Sequence, residues 1–464
     1  MSGANGDQQP GFIRALGAWD CASITVGTVL GASIFLAASF VPRSVPHASL
    51  ILIIWLAGGL LSLAGALTFA ELGGMFPRAG GIYNYLKECY GPATGILFGW
   101  ASFLVIQCGA IAALGVAFAD YLGAFVPGVS SKNVLLSVPI GDSYLRISAV
   151  QAVGASSIAI LTAVNYVGVK YGAAVQNFLT VVKFAAVLGF IAFGIVATPV
   201  ATPDWLAPLP PGSLLAGIGV AFIGVFASYD GWYQAVFSAG EVRDPQRNLP
   251  RGMIAGTIIM VVLYLLVNFV YLRALPIAEL GASTRIGEAA ANSLFGSSGG
   301  RLLAAAVVVS VFGCLATCLL TAARIYQPMA ADGLFFGSLA RIHPRYHTPY
   351  TSLIAQGIWS CVLALSGTYD QLLGYVIFAV FSFHALTGAA VILLRRTRPA
   401  AARPYRVWGY PWVPLIFTGS SVFFVINTFA ERPVESLAGA GLIALGLPAY
   451  WWWRRKANVS RIHS

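Results

Sequence analysis

A succession of apolar runs, each long enough to cross a bilayer, leaves this chain few ways to fold. Roughly 20 apolar residues at ~1.5 Å rise span a hydrocarbon core. Twelve stretches qualify, approximately 14–41, 49–76, 93–123, 147–168, 176–197, 214–238, 252–274, 301–328, 350–368, 371–394, 411–430 and 435–453. Inside a bilayer the backbone must satisfy its own polar groups, so runs of this length form helices. With 58% hydrophobic and only 9% charged residues, a soluble domain is excluded. The expectation is an all-α membrane protein of about 12 transmembrane helices. The polar stretch Met1 to Pro10 leads straight into a full-length span, so no cleavable signal peptide is expected.

The net charge of +11 could suggest nucleic acid, but its distribution argues otherwise. With a cytoplasmic N-terminus, the inside loops collect Arg78 and Lys87, Arg243, Arg247 and Arg251, then Arg341 and Arg345. They go on to collect Arg395 to Arg406 and Arg454 to Lys456. The outside keeps Arg43, Lys132, Arg146, Arg273, Arg285, Arg301 and Arg432. Basic residues gather in cytoplasmic loops, so the surplus is a topology signal, and a multi-pass cell-membrane protein with both termini cytoplasmic is expected. No nucleic-acid partner is expected. The six cysteines show no CxxC spacing, so neither a metal site nor a disulfide framework is expected.

Two spans are interrupted. The first carries Val26-Gly27-Thr28-Val29-Leu30-Gly31-Ala32-Ser33-Ile34-Phe35 and the sixth Gly224-Val225-Phe226-Ala227-Ser228-Tyr229-Asp230-Gly231-Trp232. Such small residues can simply let helices pack closely. The alternative is a broken helix, tolerated at membrane depth only where it lines a cavity or is buried in protein. Its free N–H groups near Ala32 to Phe35 would then attract an anion. A carboxylate at mid-membrane, Asp230, needs water, a cation or a substrate opposite it. Breaks at corresponding places in two halves point to inverted repeats with a central binding site. Lys183, a lone cation in the fifth span, reads either as a snorkelling residue or as a fixed ammonium beside the broken first helix. The stretch Pro77 to Leu86 reads as a turn and an interfacial helix.

These stretches together resemble the amino acid–polyamine–organocation superfamily, most closely its L-type amino acid transporter branch. The resemblance is carried by Gly27-x3-Gly31-x2-Ile34-Phe35, by Ala70-Glu71-Leu72-Gly73 with Pro77-Arg78-Ala79-Gly80-Gly81-x-Tyr83-x-Tyr85-Leu86, and by Phe226 to Trp232. It continues in Glu241 to Pro250 and in Leu394 to Pro411, with Arg403-Pro404-Tyr405-Arg406-Val407. It implies a LeuT-like 5+5 inverted repeat. The expected layout is an N-terminal tail (1–13), a first repeat (14–197), an extracellular linker (198–213) and a second repeat (214–394). A basic loop with helices 11 and 12 (395–453) and a C-terminal tail (454–464) follow.

By the same resemblance, a substrate carboxylate meets the N–H groups of Ala32, Ser33 and Ile34 beside Gly31, and its amine meets carbonyls near Thr28, Val29, Phe226 and Ala227. Tyr229 and Asp230 border that site. Lys183 stands where other members hold sodium, which implies sodium independence. Asp20, Glu71, Arg78 and Trp232 are expected at gates. The family's usual Gly-Ser-Gly-Ile-Phe is here Gly31-Ala32-Ser33-Ile34-Phe35, which puts a side chain where relatives have none. The loop from Gly128 to Arg146 lacks cysteine, so no disulfide-linked heavy chain is expected.

An enzyme is not expected. The five histidines are dispersed and no HExxH, GxSxG or Walker motif is present, so neither a cofactor nor a metal is implied. The expected function is sodium-independent alternating-access transport of L-amino acids, neutral ones first, as an exchanger or a proton-coupled importer. Cationic amino acids, polyamines or an amino acid sensor of the same fold are the alternatives.

Overall fold

The computed structural model describes residues 12–31, 33–140, 143–167, 169–209, 214–366, 369–431 and 433–462. They form a helical bundle, with helices α1 (Ala18–Val29), α2 (Ser33–Leu36), α3 (Ala48–Met75), α4 (Ile82–Tyr90), α5 (Pro92–Leu122), α6 (Ala149–Tyr166) and α7 (Val169–Val196). The second half of the chain gives α8 (Leu214–Tyr229), α9 (Pro245–Ala274), α10 (Ile286–Ala331), α11 (Tyr350–Ser366), α12 (Tyr369–Thr397), α13 (Trp412–Glu431), α14 (Pro433–Ala444) and α15 (Gly446–Ile462). Among the described residues ten helical stretches are long and apolar enough to cross a bilayer, and Gly217–Phe226 and Tyr350–Ser366 are shorter apolar helices. This is an all-α membrane architecture, and it accounts for each of the twelve apolar runs.

Several boundaries differ from those read in the sequence, for physical reasons. The seventh span begins at Pro245 rather than near 252, because a proline at the first helical position gives up no hydrogen bond and presets φ. The eighth is preceded by another helical piece from Ile286, turned at Gly296, whose φ of 73° suits glycine. The stretch read as an extracellular loop holds an antiparallel hairpin, β1 (Val134–Ile140) on β2 (Ser143–Ser148). The helix expected to lie at the membrane interface is α4, and Ile82 to Leu86 are buried in the protein. Gly81 (φ 45°) allows this, since a Cβ there would stand 2.4 Å from the Val236 side chain.

Helix α9 runs along both α3 and α1, α10 packs on α7 and α5, α12 packs on α13 and α5, and α11 lies against α6. Close approach depends on small residues, as expected where lipid offers no hydrophobic drive for association. Gly115 and Gly154 bring α5 and α6 to backbone contact, a Cβ on Gly154 meeting the Gly115 carbonyl group at 2.9 Å. Helix α5 carries a π-helical stretch, Ser102–Ile106, just before Gln107, and such bulges gather at functional sites. The discontinuous first span is thus enclosed by α7, α8, α9 and α10.

Candidate functional site

The first span does break. Helix α1 ends at Val29, Leu30 leaves helical geometry (ψ 70°), and α2 starts at Ser33. Ending a helix in mid-bundle strands its last carbonyls, and each is met by a side chain from elsewhere. Lys183 Nζ on α7 donates to the carbonyls of Gly27 (2.5 Å) and Leu30 (3.1 Å). The Ser310 hydroxyl also donates to Leu30 (2.9 Å), the Tyr264 hydroxyl to Val29 (2.7 Å) and the Cys314 thiol to Thr28 (3.1 Å). Gly31 sits where a Cβ would come within 3.1 Å of Cys314 Sγ, so glycine is needed for α10 to approach this closely. Lys183 is buried and does not snorkel.

The sixth span breaks beside it. Helix α8 ends at Tyr229, and a turn through Asp230 to Tyr233 leads into a 3₁₀ helix, Gln234–Glu241. Gly231 (φ 109°) makes the turn, and a Cβ there would stand 3.0 Å from Thr28. The Thr28 hydroxyl donates to the Gly231 carbonyl (2.8 Å), and the Tyr264 hydroxyl, whose proton goes to Val29, also lies 3.2 Å from the Ser228 carbonyl. The two breaks are therefore fastened to each other and to α9. Between them and α5, α10 and α12 lies a cavity of about 90 Å³. Thr28, Val29, Gly31, Ser33, Ser228, Asp230, Gly231 and Gln234 line its polar side. Ala110, Ala113 and Leu114 of α5 and Val376, Val380 and Phe381 of α12 line its apolar side, with Cys314 and Cys318 from α10.

Of the residues singled out in the sequence, Thr28, Val29, Gly31, Ser33 and Asp230 thus face one cavity. Ala32 and the side chain of Ala227 lie outside the described residues. Ile34 is buried, and its carbonyl accepts from the Tyr271 hydroxyl at 3.4 Å. The aromatics of the sixth span point elsewhere. Phe226 packs on Phe381 and Phe424, and Tyr229 on Trp55 and Tyr264. Trp232 packs on Phe69, Phe417 and His384. The cavity aromatic is Phe381, which sequence reading did not find. Gln234 was missed as well. Its side chain donates to Gln107 Oε1 (3.0 Å) and accepts from the Thr321 hydroxyl (2.9 Å), making a polar floor. A lone amide just past a broken helix was the available signal.

The expected gating residues lie apart. Asp20 accepts from the N–H of Gly17 (2.8 Å) and from Asn177 (3.4 Å), which fixes the start of α1 against α7. Glu71, buried at the end of α3, takes a bidentate bond from Arg395 (2.6 and 2.9 Å) and the N–H of Val407 (2.7 Å), with Arg403 at 3.5 Å. It ties α3 to the end of α12 and the loop beyond. Arg78 is exposed in the turn before α4. A second buried pair was not foreseen: Arg324 of α10 grips Glu241 through two bonds of 2.6 and 3.0 Å, both side chains 2% exposed. The backbone carbonyl of Glu241 accepts from Ala15 and Leu16 (2.8 and 2.9 Å), and the N–H of Arg243 donates to Leu16 (2.7 Å). The segment before α1 is thereby clasped to the loop after the sixth span.

Removing one partner of a buried ion pair leaves an uncompensated charge and costs about 3–5 kcal/mol. Arg324→Ala accordingly lowers the thermal unfolding midpoint in detergent, and adding Glu241→Ala recovers part of the loss. An unchanged midpoint in Arg324→Ala contradicts the pair's structural role.

The amino acid permease family profile matches residues 16–451. The serine/threonine exchanger SteT of Bacillus subtilis (strain 168) is 29% identical over 96% of this chain and 98% of its own length. The human b(0,+)-type amino acid transporter 1 is 31% identical over 94% of this chain and 87% of its own. The rabbit (Oryctolagus cuniculus) large neutral amino acids transporter small subunit 2 is 28% identical over 96% and 81%. With two broken spans meeting at a central cavity and a family match over nearly its whole length, this chain is a member of the amino acid permease family of the amino acid–polyamine–organocation superfamily, a multi-pass membrane transporter and not an enzyme.

Proposed function

We propose that this protein is a sodium-independent exchanger of small L-amino acids, working by alternating access between two inverted repeats (14–197 and 214–394) with both termini in the cytoplasm. The observation that carries the reading is the Lys183 ammonium seated between the carbonyls of Gly27 and Leu30. Backbone carbonyls released by a broken helix are the ligands that transporters of this build offer to a coupling cation. A protein-borne ammonium satisfies them permanently and repels a second cation by like-charge repulsion. Exchange fits the partners held around the break: the helix stays fastened whether or not an ion is present outside.

The substrate's carboxylate is assigned to the Gly31–Ser33 segment and its ammonium to the polar side formed by Thr28, Ser228 and Asp230. Its side chain points at Ala110, Ala113, Val376, Val380 and Phe381. The apolar composition of that wall and the small cavity favour neutral, compact side chains, which bring no charge to be desolvated. The name of one similar protein, a serine/threonine exchanger, agrees with a small neutral substrate, and that of another, a large neutral amino acids transporter subunit, agrees with neutrality alone. The test is uptake of a labelled amino acid panel into proteoliposomes with and without internal amino acid. Uptake confined to loaded vesicles supports exchange; equal uptake into empty vesicles overturns it.

One observation favours a second reading. Asp230 lines the cavity among Thr28, Ser228 and Gln234, all of them neutral. A carboxylate so placed suits a cationic substrate side chain. On that reading Asp230→Asn lowers lysine or arginine uptake at least tenfold while alanine or serine uptake changes little, a charge pair at ~4 Å being worth about 4 kcal/mol at an effective dielectric of 20. On the first reading no cationic uptake exists to lose.

A further inference from the structure

Cys314 and Cys318 stand one helical turn apart on α10, and both line the cavity. Residues four apart on a helix project side by side, and both of these face the same cavity. The pair is placed against the break of the first span. Cys314 Sγ donates to the Thr28 carbonyl at 3.1 Å and occupies the space that a Cβ on Gly31 would enter. No other cysteine of the chain lies within four residues of another. Both thiols are shielded from the outside, at 2% and 5% exposure, so reagents reach them only through the cavity.

We infer that Cys314 and Cys318 form a dithiol site for soft, thiophilic metalloids, a trivalent arsenical above all, and that filling it blocks transport. Soft ligands such as thiolates select soft metals and metalloids, and two adjacent thiols chelate where a single one binds weakly. With phenylarsine oxide the step balances without any oxidant. Two S–H bonds and the arsenic–oxygen bond break, two As–S bonds form, the oxygen leaves with both protons as one water, and arsenic stays trivalent. The adduct bridges adjacent turns of α10 and projects its phenyl group towards Gly31 and Asp230, where a substrate would lie. The inference rests on the cavity being the transport path.

The experiment uses phenylarsine oxide on the full-length protein in proteoliposomes, read by intact-protein mass spectrometry and by labelled amino acid exchange. In a background with Cys21, Cys89, Cys108 and Cys361 replaced by serine, one phenylarsenic bridge forms per chain. Exchange falls at least tenfold, dimercaptopropanol reverses both effects, and saturating substrate slows the reaction. Cys314→Ser or Cys318→Ser in the otherwise native chain abolishes the dithiol-reversible bridge. An equal bridge in the Cys314→Ser/Cys318→Ser protein, or a bridge that leaves exchange untouched, overturns the inference. Peptide mapping of the native protein locates the arsenic even if the serine background does not fold. Because the mass reading needs no transport, a bridge at these residues in a protein that carries no amino acid refutes the transport reading alone.

Discussion

Lys183→Ala lowers amino acid exchange about a hundred-fold or more, while the protein still purifies as a folded helical bundle. The ammonium holds two carbonyls of a broken helix, and hydrogen bonds to a charged group are worth about 1.5–3 kcal/mol each. Losing both costs about 3 kcal/mol at the low end, and each 1.36 kcal/mol is tenfold in a rate. Ser310 still serves the Leu30 carbonyl, so the damage centres on Gly27 and on the geometry of the half-helix beyond Leu30. The rest of the bundle is held by contacts that Lys183 does not share, notably the α3–α9 and α6–α11 packing. Exchange rates of the two proteins, reconstituted at equal density, check this. A Lys183→Ala protein transporting at the native rate removes the basis for sodium independence.

Gly31→Leu abolishes substrate binding. Even a Cβ at this position comes within 3.1 Å of Cys314 Sγ and 3.8 Å of Leu114, and a leucine side chain must project into a cavity of about 90 Å³. Forcing extra methylenes into a packed site costs about 1–3 kcal/mol in strain, and the space lost is the space assigned to the carboxylate. A smaller pair of changes separates crowding from misfolding. Gly31→Ala weakens binding, and adding Cys314→Ala restores part of it by removing the sulfur that the new methyl meets. Neighbours of this kind couple by about 0.5–3 kcal/mol. Equilibrium binding of labelled substrate to the detergent-solubilised proteins measures the cycle. Additive losses with no recovery would mean that Gly31 acts through something other than its contact with Cys314.

The features legible in the sequence are those that are costly in a membrane. Glycines at the middle of an apolar run, a lysine inside a span and an aspartate beside a glycine all demand a compensating partner, so their presence announced a break, a cavity and a fixed cation. The partners themselves were not legible. Glu71 shares a motif with Arg78, yet it is gripped by Arg395 and Arg403, more than three hundred positions away, because packing α3 against the end of α12 decides which guanidinium arrives. The aromatics around the second break illustrate the same limit. Phe226, Tyr229 and Trp232 share a stretch with Asp230, but the first two leave α8 towards α3, α9, α12 and α13, and Trp232, past the turn at Gly231, packs on α3, α12 and α13. Asp230 is left on the cavity wall. Cys314 and Cys318 carry no charge to give them away, and only the approach of α10 to Gly31 shows where they face.

The central claim, that a lysine of the protein does the work of a coupling cation, is tested most directly by transport itself. Labelled amino acid uptake into substrate-loaded proteoliposomes is measured in sodium chloride and in choline chloride of equal strength. The account predicts equal initial rates in the two salts. A rate that rises saturably with external sodium would contradict it.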